Sequence, residues 1–351
     1  MDISELGWDS HFSKYFKVYE EQDLHPGRVI SEDREHYRVA AECGELMAQI
    51  SGRLRHQAES LADFPVVGDW VAVRSRTDEG EATIHAVLPR RTSFSRKAAG
   101  STTDEQVVAA NVDTVFLVSG LDRDFNLRRI ERYLTLAWNS GAAPVVILNK
   151  ADLCEDIEAR IADVHSLEQA VPVHVVSALE NRGIDALKPY LSPGKTVMLA
   201  GSSGVGKSTL INCLLGAECL QTGAVRASDG RGRHTTTRRE LFLLPSGGAV
   251  IDNPGMRELQ LWAEDENLST VFEDIEEFAA QCRFRDCRHQ SEPGCAVHQA
   301  LADGVLEQAR FESYLALQKE LRHLKGKKSE KDRLIAKARR QIQHHRKREG
   351  R

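Results

Sequence analysis

The chain has 351 residues, 41% of them apolar and 28% charged, which excludes disordered and fibrous classes and leaves room for two or three domains. No apolar run approaches bilayer-spanning length, and the start, MDISELGWDS, is acidic where a secretory signal would be basic and then apolar, so a cytoplasmic protein with no membrane partner is expected. The net charge of −5 hides an asymmetry: from Lys319 onward fourteen Lys and Arg face four Asp and Glu, giving +10 on the tail and −15 on the rest.

Up to about residue 110 short β-rich runs alternate with turn residues: GRVI near Gly27, YRVAAE near Tyr37, VVGDWVAV from Val66 and ATIHAVLP from Ala82. Short strands at close spacing, with no long helical period, predict a small β-barrel over 1–110. Trp70 and Phe64 are expected in its core rather than on an RNA-stacking surface.

From Asn111 the texture changes to apolar strands separated by helical stretches, and 111–262 reads as one α/β domain. TVFLVSG precedes NLRRIERYLTLAWNSG, PVVILNK precedes a charged helix from Glu155, and VPVHVVSA precedes a helix ending near Tyr190. Continuous β-branched runs imply strands covered on both faces, hence a parallel sheet. At the end of PVVIL stands Asn149-Lys150-Ala151-Asp152. A carboxylate at Asp152 can accept from N1–H and the 2-amino group of guanine, whereas adenine would leave it desolvated and unpaired. The Lys150 stem can lie over the purine, and Ser177-Ala178 can support the base through a backbone N–H.

KTVMLA then leads into Gly201-Ser202-Ser203-Gly204-Val205-Gly206-Lys207-Ser208-Thr209, which fits G-x-x-x-x-G-K-[ST] between a strand and a helix. Glycines let N–H groups turn toward the β-phosphate, and the following helix points its positive end at the same anion. Lys207 would bridge the β- and γ-phosphates and the Ser208 hydroxyl would ligate Mg²⁺.

Gly230-Arg-Gly-Arg-His234-Thr235-Thr236-Thr237 follows, a polar stretch suited to a loop ordered by nucleotide, with one of its threonines on Mg²⁺. Asp252-Asn-Pro-Gly255 ends the strand GGAVI and fits D-x-x-G: Asp252 holds Mg²⁺ through water and the Gly255 N–H reaches the γ-phosphate. Many GTPases place a water-orienting Gln next, but here the residue is Met256. His234 is the candidate substitute, its alternative role being that of a solvated loop histidine.

Residues 263–351 form a third, helical region. Cys282-x₄-Cys287-x-His289-x₅-Cys295 offers three thiolates and one imidazole, a set for a closed structural Zn²⁺ site, with His298 a rival ligand. Cys43, Cys154, Cys213 and Cys219 are scattered. Arg283, Arg285 and Arg288 interleave with the ligands, and in the tail Leu334, Ala338 and Ile342 recur at helical spacing. The stripe fits packing back on the zinc module as well as it fits RNA, and the tail itself reads as a phosphate-binding arm or a solvated segment.

The order of motifs, NKxD and SA before the P-loop, then RHTTT, then DNPG, resembles the circularly permuted GTPases. With the barrel before and the Cys/His module after, nearly the whole chain resembles the ribosome small-subunit-dependent RsgA (YjeQ) GTPase family. That resemblance implies an OB-fold barrel, a permuted P-loop GTPase domain binding GTP or GDP with Mg²⁺, and a helical C-terminal module with one Zn²⁺. It implies a late maturation factor of the small (30S) ribosomal subunit, acting on its rRNA and stimulated by the subunit; a monomer is expected. It also favours Thr235 as Mg²⁺ ligand and His234 as the catalytic side chain beside Lys207. The alternative is a GTP-dependent RNA-binding regulator or RNA-modification partner acting on another RNA. Some members of the family carry a basic N-terminal extension, whereas this chain starts with acidic residues.

Overall fold

The computed structural model describes residues 2–33, 36–76, 80–97, 105–217, 220, 239–252, 272–284, 287–289, 292–308, 310–316 and 318–319. They form two compact units, one holding a barrel and an α/β layer, the other Lys97 and the residues from 272 onward. No helix among them is long and apolar enough to cross a membrane.

The barrel is built from β1 (His25–Asp33), β2 (His36–Ala41), β3 (Gly44–Ile50), β4 (Trp70–Arg76) and β5 (Glu81–Val87). β1 pairs with both β2 and β4, and β3 with β5, so the five strands close on themselves as an OB-like barrel and leave no free edge among them. Alternate residues point inward, and Val29, Val39, Val71, Val73 and Ile84 fill the core at 0% exposure. Ahead of the barrel runs α1 (Ser10–Glu20), absent from the strand-based expectation; Asp9 caps it by accepting from the His11 N–H. Its Phe12 and Phe16 are buried, and Trp8 meets Trp70 edge to face at 4.8 Å. Trp70 is therefore core, 1% exposed, while Phe64 is half-buried.

β6 (Ser93–Lys97) and β7 (Glu105–Ala110) pair as a separate ribbon, and the chain then enters the α/β layer. Its strands are β8 (Thr114–Gly120), β9 (Ala143–Asn149), β10 (Val173–Val175), β11 (Thr196–Gly201), β12 (Arg239–Leu243) and β13 (Ala249–Asp252), in the order β10-β9-β8-β11-β13-β12. All pairings are parallel up to β13, and β12 closes the edge antiparallel. The helical stretches read from the sequence are α3 (Leu127–Ser140), α4 (Ile157–His165) and α5 (Lys207–Leu215), with α2 (Gly52–Gln57) earlier in the barrel. The stretch ending near Tyr190 is a 3₁₀ run, Ile184–Leu191, with Pro189 inside it; a missing N–H there precludes a regular α-helix.

β12 also pairs with β1, Ser31 opposite Glu240 and Glu32 opposite Arg239, so the barrel and the parallel sheet are one continuous eleven-stranded sheet. Arg38–Glu240 at 2.7 Å and Arg239–Glu32 at 3.4 Å reinforce the seam with side chains.

The second unit contains α6 (Glu273–Ala279) and α7 (Ala296–Ala302). Phe272 and Ile275 are fully buried, Tyr314 stacks edge-on against Phe272 at 5.4 Å, and Arg310 pairs with Asp274 at 2.6 Å. This is a small core, consistent with a module that depends on a metal for its fold.

Candidate nucleotide and metal sites

The motif residues that the described chain contains lie on loops following the carboxyl ends of neighbouring parallel strands, where ligands bind in such sheets. Asn149 ends β9, Ser177 follows β10, the P-loop follows β11 and Asp252 ends β13, where it is 4% exposed.

Glycine makes the P-loop possible. Gly204 and Gly206 have φ +79° and +98°, in the left-handed region. A Cβ on Gly201 would lie 2.3 Å from the Val118 carbonyl, and one on Gly206 would lie 2.3 Å from Asn149 Nδ2. Gly206 opens α5 with no side-chain cap, so the first N–H groups of that helix face the loop. Lys207 Nζ donates to the Gly201 and Ser202 carbonyls at 2.9 and 2.7 Å, folding its ammonium back over the loop. Ser208 and Thr209 occupy the next positions of α5.

Asn149 joins the base-recognition segment to this loop. Its Nδ2 donates to the Val205 carbonyl at 2.9 Å, and its Oδ1 accepts from the Ala178 N–H at 3.0 Å. Of the Ser177-Ala178 segment expected to support the base through a backbone N–H, the Ala178 N–H is engaged by Asn149. Asp152 Oδ1 accepts from the Ser177 hydroxyl at 2.5 Å, which fixes the carboxylate beside the loop. Lys150 adopts φ +65°, an uncommon conformation for a side-chain residue, at the turn that swings its stem across the site.

Two acids of the loop after β8 complete the site and were missed from the sequence. Asp122 Oδ2 pairs with Lys150 Nζ at 2.6 Å, and Asp124 Oδ2 accepts from the Ser202 hydroxyl while pairing with Arg129 at 2.7 Å. Burial pushes the Asp122 carboxyl up, but the Lys150 ammonium and the Asp124 N–H outweigh it and hold it below the usual carboxylate range. The signal was present in LDRDF, charged residues directly after a buried strand, where a carboxyl-edge loop meets ligand.

His234, Thr235, Thr236, Thr237, Gly255 and Met256 lie outside the described residues, as do Cys219, Arg285 and the tail carrying Leu334, Ala338 and Ile342.

In the second unit Cys282, Cys287, His289 and Cys295 each offer one ligand atom, all within 4.8 Å of one another. Cys282 Sγ is 3.6 Å from His289 Nδ1, Cys295 Sγ is 3.5 Å from it, and the two sulfurs are 3.9 Å apart. A tetrahedral zinc with bonds of about 2.3 Å separates its ligands by about 3.8 Å, so the cluster could hold one such ion with no position left over. His298 is outside the cluster; its Nε2 lies 3.0 Å from the His289 carbonyl.

The RsgA GTPase family model matches residues 87–262, and a model described as 50S ribosome-binding GTPase matches 196–331. The small ribosomal subunit biogenesis GTPase RsgA of Opitutus terrae is 51% identical over 329 residues, covering 91% of this chain and 90% of that protein. The protein of the same name from Syntrophotalea carbinolica is 48% identical over 329 residues, covering 92% and 90%. Among solved structures, YjeQ from Thermotoga maritima aligns with a TM-score of 0.60 at 29% identity, covering 85% of this chain and 98% of that one. YloQ, described as a circularly permuted GTPase, aligns with a TM-score of 0.60 at 25% identity, covering 87% and 97%.

Proposed function

The chain belongs to the RsgA GTPase family, a circularly permuted group of GTP hydrolases, and on that premise we propose that it is a late maturation factor of the small (30S) ribosomal subunit, binding rRNA and stimulated by that subunit. The names of its relatives supply the biological setting, small-subunit biogenesis. The observation that carries the chemistry is the Asn149 amide, which holds the P-loop at Val205 and the Ser177-Ala178 turn at once and so unites base and phosphate recognition.

In this reading Asp152, oriented by Ser177, accepts from the guanine N1–H and 2-amino groups, and the Lys150 stem covers the purine. Asn149, Ser177 and Ala178 support that pocket. The backbone from Gly201 to Gly206 cradles the phosphates, and Lys207 leaves its own loop carbonyls to meet the β- and γ-oxygens. Ser208 and Thr235, with Asp252 behind a water, would hold Mg²⁺, which when bound would supply charge neutralisation at those oxygens. The Gly255 N–H reaches the γ-phosphate. His234 aligns the attacking water in place of the glutamine that Met256 displaces.

Cys282, Cys287, His289 and Cys295 bind one structural Zn²⁺ and take no part in hydrolysis. We divide the chain into the barrel (1–110), the GTPase domain (111–262) and the zinc module with its basic tail (263–351). The tail and the arginines among the zinc ligands supply cations for rRNA phosphates. The protein acts as a monomer.

The test is the GTP hydrolysis rate measured with small subunits, large subunits and tRNA at fixed salt. Stimulation by small subunits alone is expected; equal or greater stimulation by tRNA or large subunits would overturn the assignment in favour of another RNA.

A further inference from the structure

A cavity of ≈ 270 Å³ lies in the first unit, lined among others by Phe12, Arg28, Trp70, Arg91, Asp113 and Thr196. Thr196 begins β11, whose far end is Gly201 of the P-loop. Five strand residues at about 3.3 Å each put the cavity ~17 Å from the phosphate loop, at the amino edge of the sheet. Its volume exceeds that of one ordered water by about an order of magnitude.

The chemistry of its walls is lopsided. Arg28 is 2% exposed and spends three of its five N–H donors on main-chain carbonyls: Nη1 on Leu6, Nη2 on Asn111 at 3.1 Å and Nε on Gly68 at 3.3 Å. No described carboxylate forms an ion pair with it. The nearest acids are already held, Asp69 by Arg90 at 2.7 Å and Asp113 by Lys195 at 3.0 Å, while Arg91 at the mouth pairs with Asp9. Of the charged residues that line the cavity, Arg28 and Arg91 are cations and Asp113 is the one carboxylate. Burial lowers the Arg28 pKa to about 10, which still leaves the group charged at neutral pH.

Beside it, Thr196 is 1% exposed, and its Oγ1 is buried with no hydrogen-bond partner, although its N–H is satisfied by Asp113. A buried cation one countercharge short and a buried hydroxyl without a partner border the same space. Aromatic faces border it too: the Arg28 guanidinium lies 5.8 Å from the Trp70 ring and that of Arg91 4.6 Å from Phe12.

We propose that this cavity is a second ligand site, distinct from the nucleotide site, for a small ring-bearing organic anion of single charge. Its carboxylate meets the remaining Arg28 donors and the Thr196 hydroxyl, a geometry that suits the planar guanidinium fork. Its ring lies against Trp70 and Phe12. The bound anion would bridge the N-terminal segment, the barrel and the sheet.

The probe is benzoate, with benzamide as its neutral counterpart, titrated calorimetrically into the full-length protein saturated with GDP. Benzoate is expected to bind about tenfold or more tighter than benzamide, the margin of a charge-assisted contact. Arg28→Lys should weaken benzoate binding further still, but Arg28 ties three backbone segments and its replacement can unfold the unit. Thr196→Val is nearly isosteric and is expected to weaken benzoate binding about fivefold while leaving GDP affinity unchanged. No benzoate binding, equal binding of the two probes, or wild-type benzoate affinity in Thr196→Val would each overturn the proposal.

Discussion

The side-chain amide of Asn149 donates to the main-chain carbonyl of Val205, 56 positions further along the chain, at 2.9 Å. Asn149 belongs to the segment that reads the base and Val205 to the loop that holds the phosphates. In the permuted chain the base-reading segment precedes the phosphate loop in sequence, and this bond joins the two directly. The space around it is tight, since the missing Cβ of Gly206 would sit 2.3 Å from the same amide nitrogen.

Gly206→Ala is therefore expected to abolish GDP binding, because the new methyl group collides with Asn149 and the φ of +98° is strained for alanine. Asn149→Ala removes two buried hydrogen bonds and should weaken GDP binding by about 2–4 kcal/mol. Equilibrium titration of a fluorescent GDP analogue measures both; near-native affinity in Gly206→Ala would contradict the observed loop geometry.

The Asp122–Lys150 pair gives a prediction with a pH signature. The folded carboxyl lies below its unfolded value, so its stabilising contribution is complete above the ordinary carboxylate pKa of about 4 and fades as pH falls through the folded value. Asp122→Asn should be less stable than wild type at pH 7, with the gap closing below about pH 4. It should also bind GDP about threefold or more weakly, since the Lys150 stem loses its anchor. Thermal unfolding across pH, together with GDP titration, checks both.

Much of this site was legible in the sequence because its motifs are local. Gly201 to Ser208 and Asn149 to Asp152 state their chemistry within eight residues or fewer, and the buried strands before them fix which edge they occupy. Asp122 and Asp124 were legible only as charged residues after a buried strand, because nothing local says that Lys150 or Ser202 will be their neighbour. The same limit explains β12: RELFL is short and mixed in polarity, and its pairing with β1 joins residues over two hundred positions apart. α1 was missed for a different reason. SHFSKYFKVYE carries only Phe12 and Phe16 as buried positions, a weak stripe whose helix is secured by the Asp9 cap and by packing on Trp70.

The metal cluster predicts about one zinc per chain in protein purified without chelator. Cys282→Ser is expected to reduce zinc content to near zero and to melt the helices from 272 onward, while GDP binding persists in the other unit. Atomic absorption and circular dichroism measure the two effects. Zinc-free native protein with those helices intact would contradict the site.

His234→Ala is expected to reduce subunit-stimulated kcat by about 100-fold or more, within the range for a lost water-positioning or acid–base group. GTP affinity should change less than about threefold, since the side chain acts on water rather than on the nucleotide. Single-turnover hydrolysis with saturating small subunits separates these quantities, and unchanged stimulated turnover would acquit the histidine.

That residues near Asp152, Lys207 and Asp252 serve one guanine nucleotide is tested most directly by Asp152→Asn, assayed for hydrolysis of GTP and of XTP with purified small subunits. An amide at this position donates to the xanthine 2-carbonyl where the carboxylate accepted from guanine, so the variant should lose GTP turnover and gain stimulated XTP turnover within about tenfold of the wild-type GTP rate. Wild-type GTP hydrolysis by Asp152→Asn, with no gain on XTP, would contradict the account.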